Sequence, residues 1–252
     1  MTAPIGIIDS GLGGLAVAQE IWKTLPYVST IYFGDHAFFP YGQKETSVLN
    51  KRLVEVVNFL LGKKIKALVV ACNTATVSTI GFLRQIYSLP IVGTEPAVKS
   101  ALKEHNQEQI VVLATEGTAK QSFYGSGEVK VQACPGLAEA IELEAQNPQK
   151  LEKLIKKTLS AIDQPYTALI LGCTHYLLVK DLFISLVPSG VEVFDPSEAI
   201  AKRVEQLLSE KGNLNRTGEP KHLFLTTGDA KKASMNASAL LKKDIIFSPC
   251  SL

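Results

Sequence analysis

The chain has 252 residues, 46% of them apolar and 20% charged, with a formal net charge of +2. That balance belongs to a folded globular protein with a sizeable core and excludes a disordered chain. Lys and Glu are interspersed without a block of one sign and no apolar run approaches a membrane span, so neither nucleic acid nor a membrane is an expected partner.

Strand-like and helical stretches alternate from one end to the other. Strands are predicted at 5–9, 30–34, 67–71, 91–93, 110–114, 129–133, 168–171, 191–194 and 222–226. Amphipathic helices are predicted at 15–23, 46–61, 75–87, 151–161 and 197–208. This alternation predicts an α/β fold on parallel sheets. The strand series restarts near Glu95-Pro96, which predicts a first domain of 1–95 plus 208–252 and a second of 96–207. Asp195-Pro196 predicts a helix start with proline in the first helical position. The polar segment 211–220 reads as a surface connection.

The first strand runs into Asp9-Ser10-Gly11-Leu12-Gly13-Gly14. Glycines there let backbone amides approach an anion at a helix start, although the spacing is neither a dinucleotide fingerprint nor a Walker loop. Asp9 would repel a phosphate. A ligand bearing carboxylate or ammonium groups fits better, with Asp9 facing the ammonium or orienting a thiol; the plain alternative is a tight strand-to-helix turn. The second strand is followed by Asp35-His36-Ala37-Phe38-Phe39-Pro40-Tyr41-Gly42, whose last three residues form a turn able to offer amides and a phenol to a ligand.

One segment is written twice. Ala67-Leu68-Val69-Val70-Ala71-Cys72-Asn73-Thr74 reappears as Ala168-Leu169-Ile170-Leu171-Gly172-Cys173-Thr174-His175. Each copy is an apolar run of the kind buried on both faces of a parallel sheet, ending in a cysteine where open α/β sheets place their ligands. Two half-chains facing each other would set Cys72 and Cys173 on opposite sides of one cleft, an arrangement suited to stereochemical inversion. Thiols at helix starts are acidified by the helix dipole, and His175 can share the proton traffic. Cys134 and Cys250 read as small buried hydrophobes. No CxxC pair occurs and His36, His105 and His222 show no ligand spacing, so no metal is assigned. In 115–124, Thr115, Thr118 and Ser122 either bind an anion or cap a helix. Cys134-Pro135-Gly136 opens another helix, running to Glu142, whose acidic residues read as solvated surface. The start, Met1-Thr2-Ala3-Pro4, lacks the regions of a signal peptide, and a cytoplasmic location is expected.

Together these segments resemble the cofactor-independent glutamate racemases of the aspartate/glutamate racemase superfamily, over nearly the whole chain. The resemblance is carried by 6–15, by Gly34-Asp35 through Pro40-Tyr41-Gly42, by Ala71-Cys72-Asn73-Thr74-Ala75-Thr76, by Leu171-Gly172-Cys173-Thr174-His175-Tyr176 and by Leu225-Thr226-Thr227-Gly228-Asp229. It implies two pseudo-symmetric domains, each a parallel-sheet α/β sandwich, with the active site in the cleft between them. It implies Cys72 and Cys173 as the acid/base pair, assisted by Asp9, His175 and Glu142. Asp9, Ser10, Tyr41, Gly42, Asn73, Thr74, Thr174 and His175 would meet the substrate, glutamate. No cofactor or metal is implied; supply of D-glutamate for peptidoglycan and a homodimer are. The sequence departs from the family where Phe38 replaces a frequent Arg, Leu177 a frequent Pro, and Asp195-Pro196-Ser197 the common Asp-Ser-Ala. Competing readings are a racemase of another small acid such as aspartate, a non-catalytic binding protein, and a dithiol redox protein, which would need both sulfurs within disulfide distance.

Overall fold

Apolar runs without polar alternation need cover on both faces, and every strand pairing in the computed structural model is parallel. The structure describes residues 3–95, 97–121, 129–163 and 165–252; the called positions Met1, Thr2, Pro96 and Ser122 lie outside them. Among the described residues the strands are β1 (Ile5–Asp9), β2 (Thr30–Gly34), β3 (Ala67–Val70), β4 (Ile91–Gly93), β5 (Ile110–Ala114), β6 (Lys130–Ala133), β7 (Ala168–Leu171), β8 (Glu192–Phe194), β9 (His222–Thr226) and β10 (Phe247–Pro249). The helices are α1 (Leu15–Thr24), α2 (Thr46–Gly62), α3 (Asn73–Ile86), α4 (Val98–Ala101), α5 (Glu116–Ala119), α6 (Leu137–Leu143), α7 (Pro148–Ser160), α8 (Thr174–Leu177), α9 (Lys180–Leu186), α10 (Ser197–Glu210) and α11 (Ala230–Leu241).

The strands form two sheets, β10-β9-β2-β1-β3-β4 and β6-β5-β7-β8. The run β2-β1-β3-β4 has the same order as β6-β5-β7-β8. The duplicated sequence is therefore a duplicated fold, with β3 and β7 in equivalent places and two further strands added to the larger sheet. Alternate side chains of each strand feed different cores. Ile5, Ile7 and Val69 of the larger sheet share one buried cluster with Val111, Leu113, Leu169 and Leu171 of the smaller. Helices α1 and α10 pack together inside that cluster through Ile21, Ile200 and Val204, among others. On the outer faces, Ile8, Phe33, Leu68 and Val70 meet Leu53 and Val57 of α2, while Ile110, Val112 and Ile170 form a smaller core.

Most predicted elements are present, with ends displaced by a few residues. Two were missed. β10 is three residues long with a proline at its end, tolerable only on an edge. Helix α11 is rich in Ala, Lys and Ser rather than carrying a clear apolar stripe; it starts where Asp229 Oδ1 accepts from Lys232 N at 3.0 Å. Pro196 sits at the cap of α10, not in its first turn, because Asp195 Oδ1 takes the Ser197 N–H at 2.8 Å. Cys250 is half-buried rather than a core residue, lying on the sheet edge just after β10. No helix among the described residues is long and apolar enough to cross a membrane.

The loop after β2 is organised by one buried charge. Asp35, fully buried, accepts from Arg52 Nε at 2.8 Å and Arg52 Nη2 at 2.7 Å, and from the Tyr41 and Thr227 hydroxyls at 2.8 Å each. The Phe38 ring lies against this cation, 5.3 Å from the guanidinium carbon, with Lys44 Nζ 5.0 Å from the same ring. Phe38 thus gives the Arg52 side chain a packing surface. Replacing Arg52 by Met should leave Asp35 charged and half-satisfied in the interior, lowering stability by about 3 kcal/mol, measured as a urea-midpoint shift against the native chain.

Candidate active site

Both duplicated cysteines sit at the same structural point. Cys72 and Cys173 cap α3 and α8 with extended backbones, φ/ψ −118°/121° and −142°/135°, each two residues past the end of its strand. Strand ends of parallel sheets converge on crevices, and here both thiols line one enclosed cavity, each about 5% exposed (6% and 5%). Ser10, Tyr41, Gly42, Asn73, Thr74, Thr174 and His175 line it too. Phe39, Pro40, Thr115 and Ala138, which the sequence reading did not place there, complete the wall. Thr115 was flagged as an anion binder or a cap: it caps α5, accepting from Thr118 N at 3.2 Å, and meets the Thr74 hydroxyl at 3.0 Å.

Asp9 and Glu142 stand behind the wall and act on it through other groups. Asp9 is fully buried, taking the Gly11 N–H at 2.8 Å and the Thr174 hydroxyl at 3.0 Å. Glu142 is buried, not solvated as its helix composition suggested; it accepts from Leu12 N at 2.8 Å and meets His175 Nε2 at 2.7 Å. The glycine-rich loop therefore does receive an anion at a backbone amide, but the anion is the chain's own carboxylate. Its glycines are required by proximity. A Cβ on Gly13 would stand 2.5 Å from His175 Nδ1, and one on Gly11 would stand 2.2 Å from Glu142 Oε2. The Tyr41 hydroxyl, offered in the sequence reading to a ligand, donates instead to Asp35.

The electrostatics of the two thiols differ. Burial, then the field of Asp9, pushes the Cys72 thiol far up, against small opposing help from the Ala75 amide and Ser10. Cys72 holds its proton. Cys173 is hydrogen-bonded to His175, and His175 carries a charge despite complete burial. Burial alone would neutralise that imidazole; hydrogen bonds to Cys173 and Glu142, with the fields of Glu142 and Asp9, hold its pKa well above the ordinary value. Glu142 is the matching anion. Burial raises it, but the His175 hydrogen bond and charge outweigh that and lower it below the usual carboxylate range. Asp9 is raised by burial, with His175, the Gly11 amide and Thr174 opposing. Cys134, also buried, is pushed up to about 12 by burial and then by Cys173.

The cavity volume is about 20 Å³, room for about one water molecule. A larger groove of about 680 Å³, bordered by Arg84, Lys99 and Arg203, holds neither thiol. Asn73 Oδ1 is buried in the cavity wall without a hydrogen-bond partner. Among the described residues no three His, Cys, Asp or Glu side chains converge in a way that could hold a metal ion.

Residues 5–204 match the family described as Asp/Glu/Hydantoin racemase. This chain belongs to that family. A glutamate racemase of Pseudomonas paraeruginosa is 40% identical over 223 residues, covering 84% of each chain. The crystal structure of a Bacillus anthracis glutamate racemase superposes with a TM-score of 0.89 at 33% identity, over 99% of this chain and 98% of that one. A Francisella tularensis glutamate racemase, solved in complex with D-glutamate, gives 0.83 at 28% identity over 99% and 98%. For a racemase of this family the two strand-end thiols and the buried pair beside them are the features of interest.

The His175–Glu142 pair makes stability depend on pH with a definite sign. His175 is raised on folding, so its contribution is complete below the ordinary value of 6.5 and is lost as pH climbs towards its folded value. Glu142 is lowered, so its contribution is complete above 4.5 and is lost as pH falls below that. Glu142→Gln should therefore destabilise most between those two values. Urea melts of both proteins should show the difference shrinking as pH rises above 6.5; a constant difference would remove the ion pair from the account.

Proposed function

We propose that the protein is a cofactor-independent glutamate racemase that moves the α-proton of glutamate between Cys72 and Cys173. The observation that carries this reading is one small cavity with a thiol from each of two repeated strand–helix units in its wall. Its membership in a family whose curated relatives are glutamate racemases supports the substrate.

Inversion needs a base on one face of the α-carbon and an acid on the other. Cys72, kept protonated by burial and Asp9, takes the acid's part in one direction, and Cys173, beside His175, takes the base's. Each turnover exchanges these states, so the two thiols titrate as one coupled unit. The unpartnered Asn73 Oδ1 suits the substrate ammonium, and the hydroxyls of Ser10 and Thr74, with the amide of Gly42, suit its carboxylates, while Asp9 acts from behind the wall by holding Thr174. Tyr41 shapes the wall through Asp35, and Glu142 keeps His175 charged. Closure around the substrate removes water, which strengthens each of these interactions as charge develops at the α-carbon.

Room for one water is too little for glutamate, so the site has to open. We infer that residues 1–95 with 208–252 part from residues 96–207 to admit the substrate. The D-glutamate formed would supply peptidoglycan synthesis in the cytoplasm, with the enzyme acting as a homodimer.

Purified protein given L-glutamate without added cofactor should produce D-glutamate by chiral chromatography; an unchanged enantiomer ratio with a folded chain overturns the reading, and aspartate run in parallel tests substrate length. In deuterated water the earliest D-glutamate should carry deuterium at the α-carbon while the remaining L-glutamate stays largely protonated. Early D-product retaining its original hydrogen would indicate one base, not two. Cys72→Ala and Cys173→Ala should each lower kcat by about 10²–10⁴-fold with unchanged circular dichroism. Near-native turnover in either would remove that cysteine from the mechanism.

A further inference from the structure

Glu142 has a second imidazole neighbour that the proton-transfer scheme leaves unused. While its Oε2 receives the Leu12 amide and His175, its Oε1 lies 3.3 Å from Nε2 of His36. The carboxylate is thus bracketed by two histidines, one in the cavity wall and one from the loop after β2. A carboxylate held at one oxygen alone can turn about its last bond; contacts on both oxygens fix its plane.

His36 is itself held in place. Its Nδ1 lies 2.7 Å from Thr226 Oγ1 and 3.1 Å from Gly34 O, and its ring stands edge-on to Phe247 with centroids 5.9 Å apart. The Thr226 hydroxyl accepts from Gly228 N at 3.0 Å, so its oxygen and the Gly34 carbonyl both stand at Nδ1, while Nε2 faces Glu142 Oε1 at ion-pair distance with no hydrogen bond between them. His36 and Glu142 also border a groove of about 450 Å³ outside the cavity, whose other charged side chains are Glu139, Asp229 and Lys232. His175, at the inner end of the row, faces Glu142, Asp9 and Cys173.

We propose that His36 is a positioning residue of the racemase: its ring, packed against Oε1, holds the Glu142 carboxylate on His175 and, in its protonated form, moderates the carboxylate's pull on the His175 proton. This rests on the glutamate racemase reading of the same site. A cation beside one carboxylate oxygen draws charge from the other, as outer contacts tune the groups that touch a reacting centre. Without it Glu142 grips the His175 proton harder, and that proton is less available to Cys173.

The sign of the effect is therefore set. His36→Ala should move the His175 titration, followed by imidazole NMR, upward by about half a pH unit or more. It should lower kcat about tenfold with KM nearly unchanged, since the cavity wall is intact, and shift the basic limb of the pH–rate profile the same way. His36→Gln, whose side-chain amide can reach and donate to Oε1, should bring both the titration and the limb back towards native values. An unmoved His175 titration in His36→Ala overturns the proposal whether or not glutamate is turned over. So does a fall in kcat with an unmoved limb and no recovery in His36→Gln, which marks a merely structural role. If the native chain fails to racemise glutamate while the His175 titration still responds to His36, the racemase reading falls and the positioning contact stands.

Discussion

The arrangement turns on a buried ion pair in one half of the fold that the other half holds in place. Glu142 and His175 both come from the part of the chain that builds the smaller sheet, yet Glu142 is secured by the Leu12 amide from the loop after β1. An uncompensated charge at this depth would cost several kcal/mol, so the pair, the amide and the two glycines that make room for them have to be present together. The Asp9–Thr174 hydrogen bond repeats the pattern in the other direction, from β1 to the start of α8. Polar contacts across the interface thus do double service, closing the halves on each other and distinguishing one thiol from its counterpart.

The repeat supplies symmetry of position and the surroundings remove symmetry of chemistry. Cys72 starts a helix of 14 residues and has a carboxylate as its nearest charge, whereas Cys173 starts one of 4 residues and has an imidazole. Equivalent strand ends with inequivalent neighbours leave the two thiols chemically distinct, one held on its proton and the other beside an imidazole.

How much of this was legible in the sequence follows from the range of the interactions involved. The strands at 5–9, 67–71 and 168–171 could be read because residues buried on both faces of a sheet have no polar alternation to confuse them. The two cysteines could be read because their context is repeated. The burial of Glu142 could not: on its own helix it is one acidic residue among several, and only contact with Leu12, 130 residues away, and with His175 shows its depth. His36 was passed over for want of ligand spacing, since its partners Thr226 and Glu142 are distant in sequence. Helix α11 lacked a periodic apolar signal and β10 was too short to carry one. Local pattern gave the scaffold; the pairings that tune the site are long-range and emerge only once the sheets are assembled.

The smallness of the cavity sets a clock. With both sulfurs lining a cavity that holds about one water, the proposed parting of the halves is what would let anything larger reach either thiol. The frequency of that parting would be a ceiling on turnover, and it would apply equally to any reagent that attacks sulfur. An alkylating agent waits in the same queue as glutamate, so the rate at which Cys72 and Cys173 are consumed, with half-buried Cys250 as an internal reference, reads out how often the enzyme breathes.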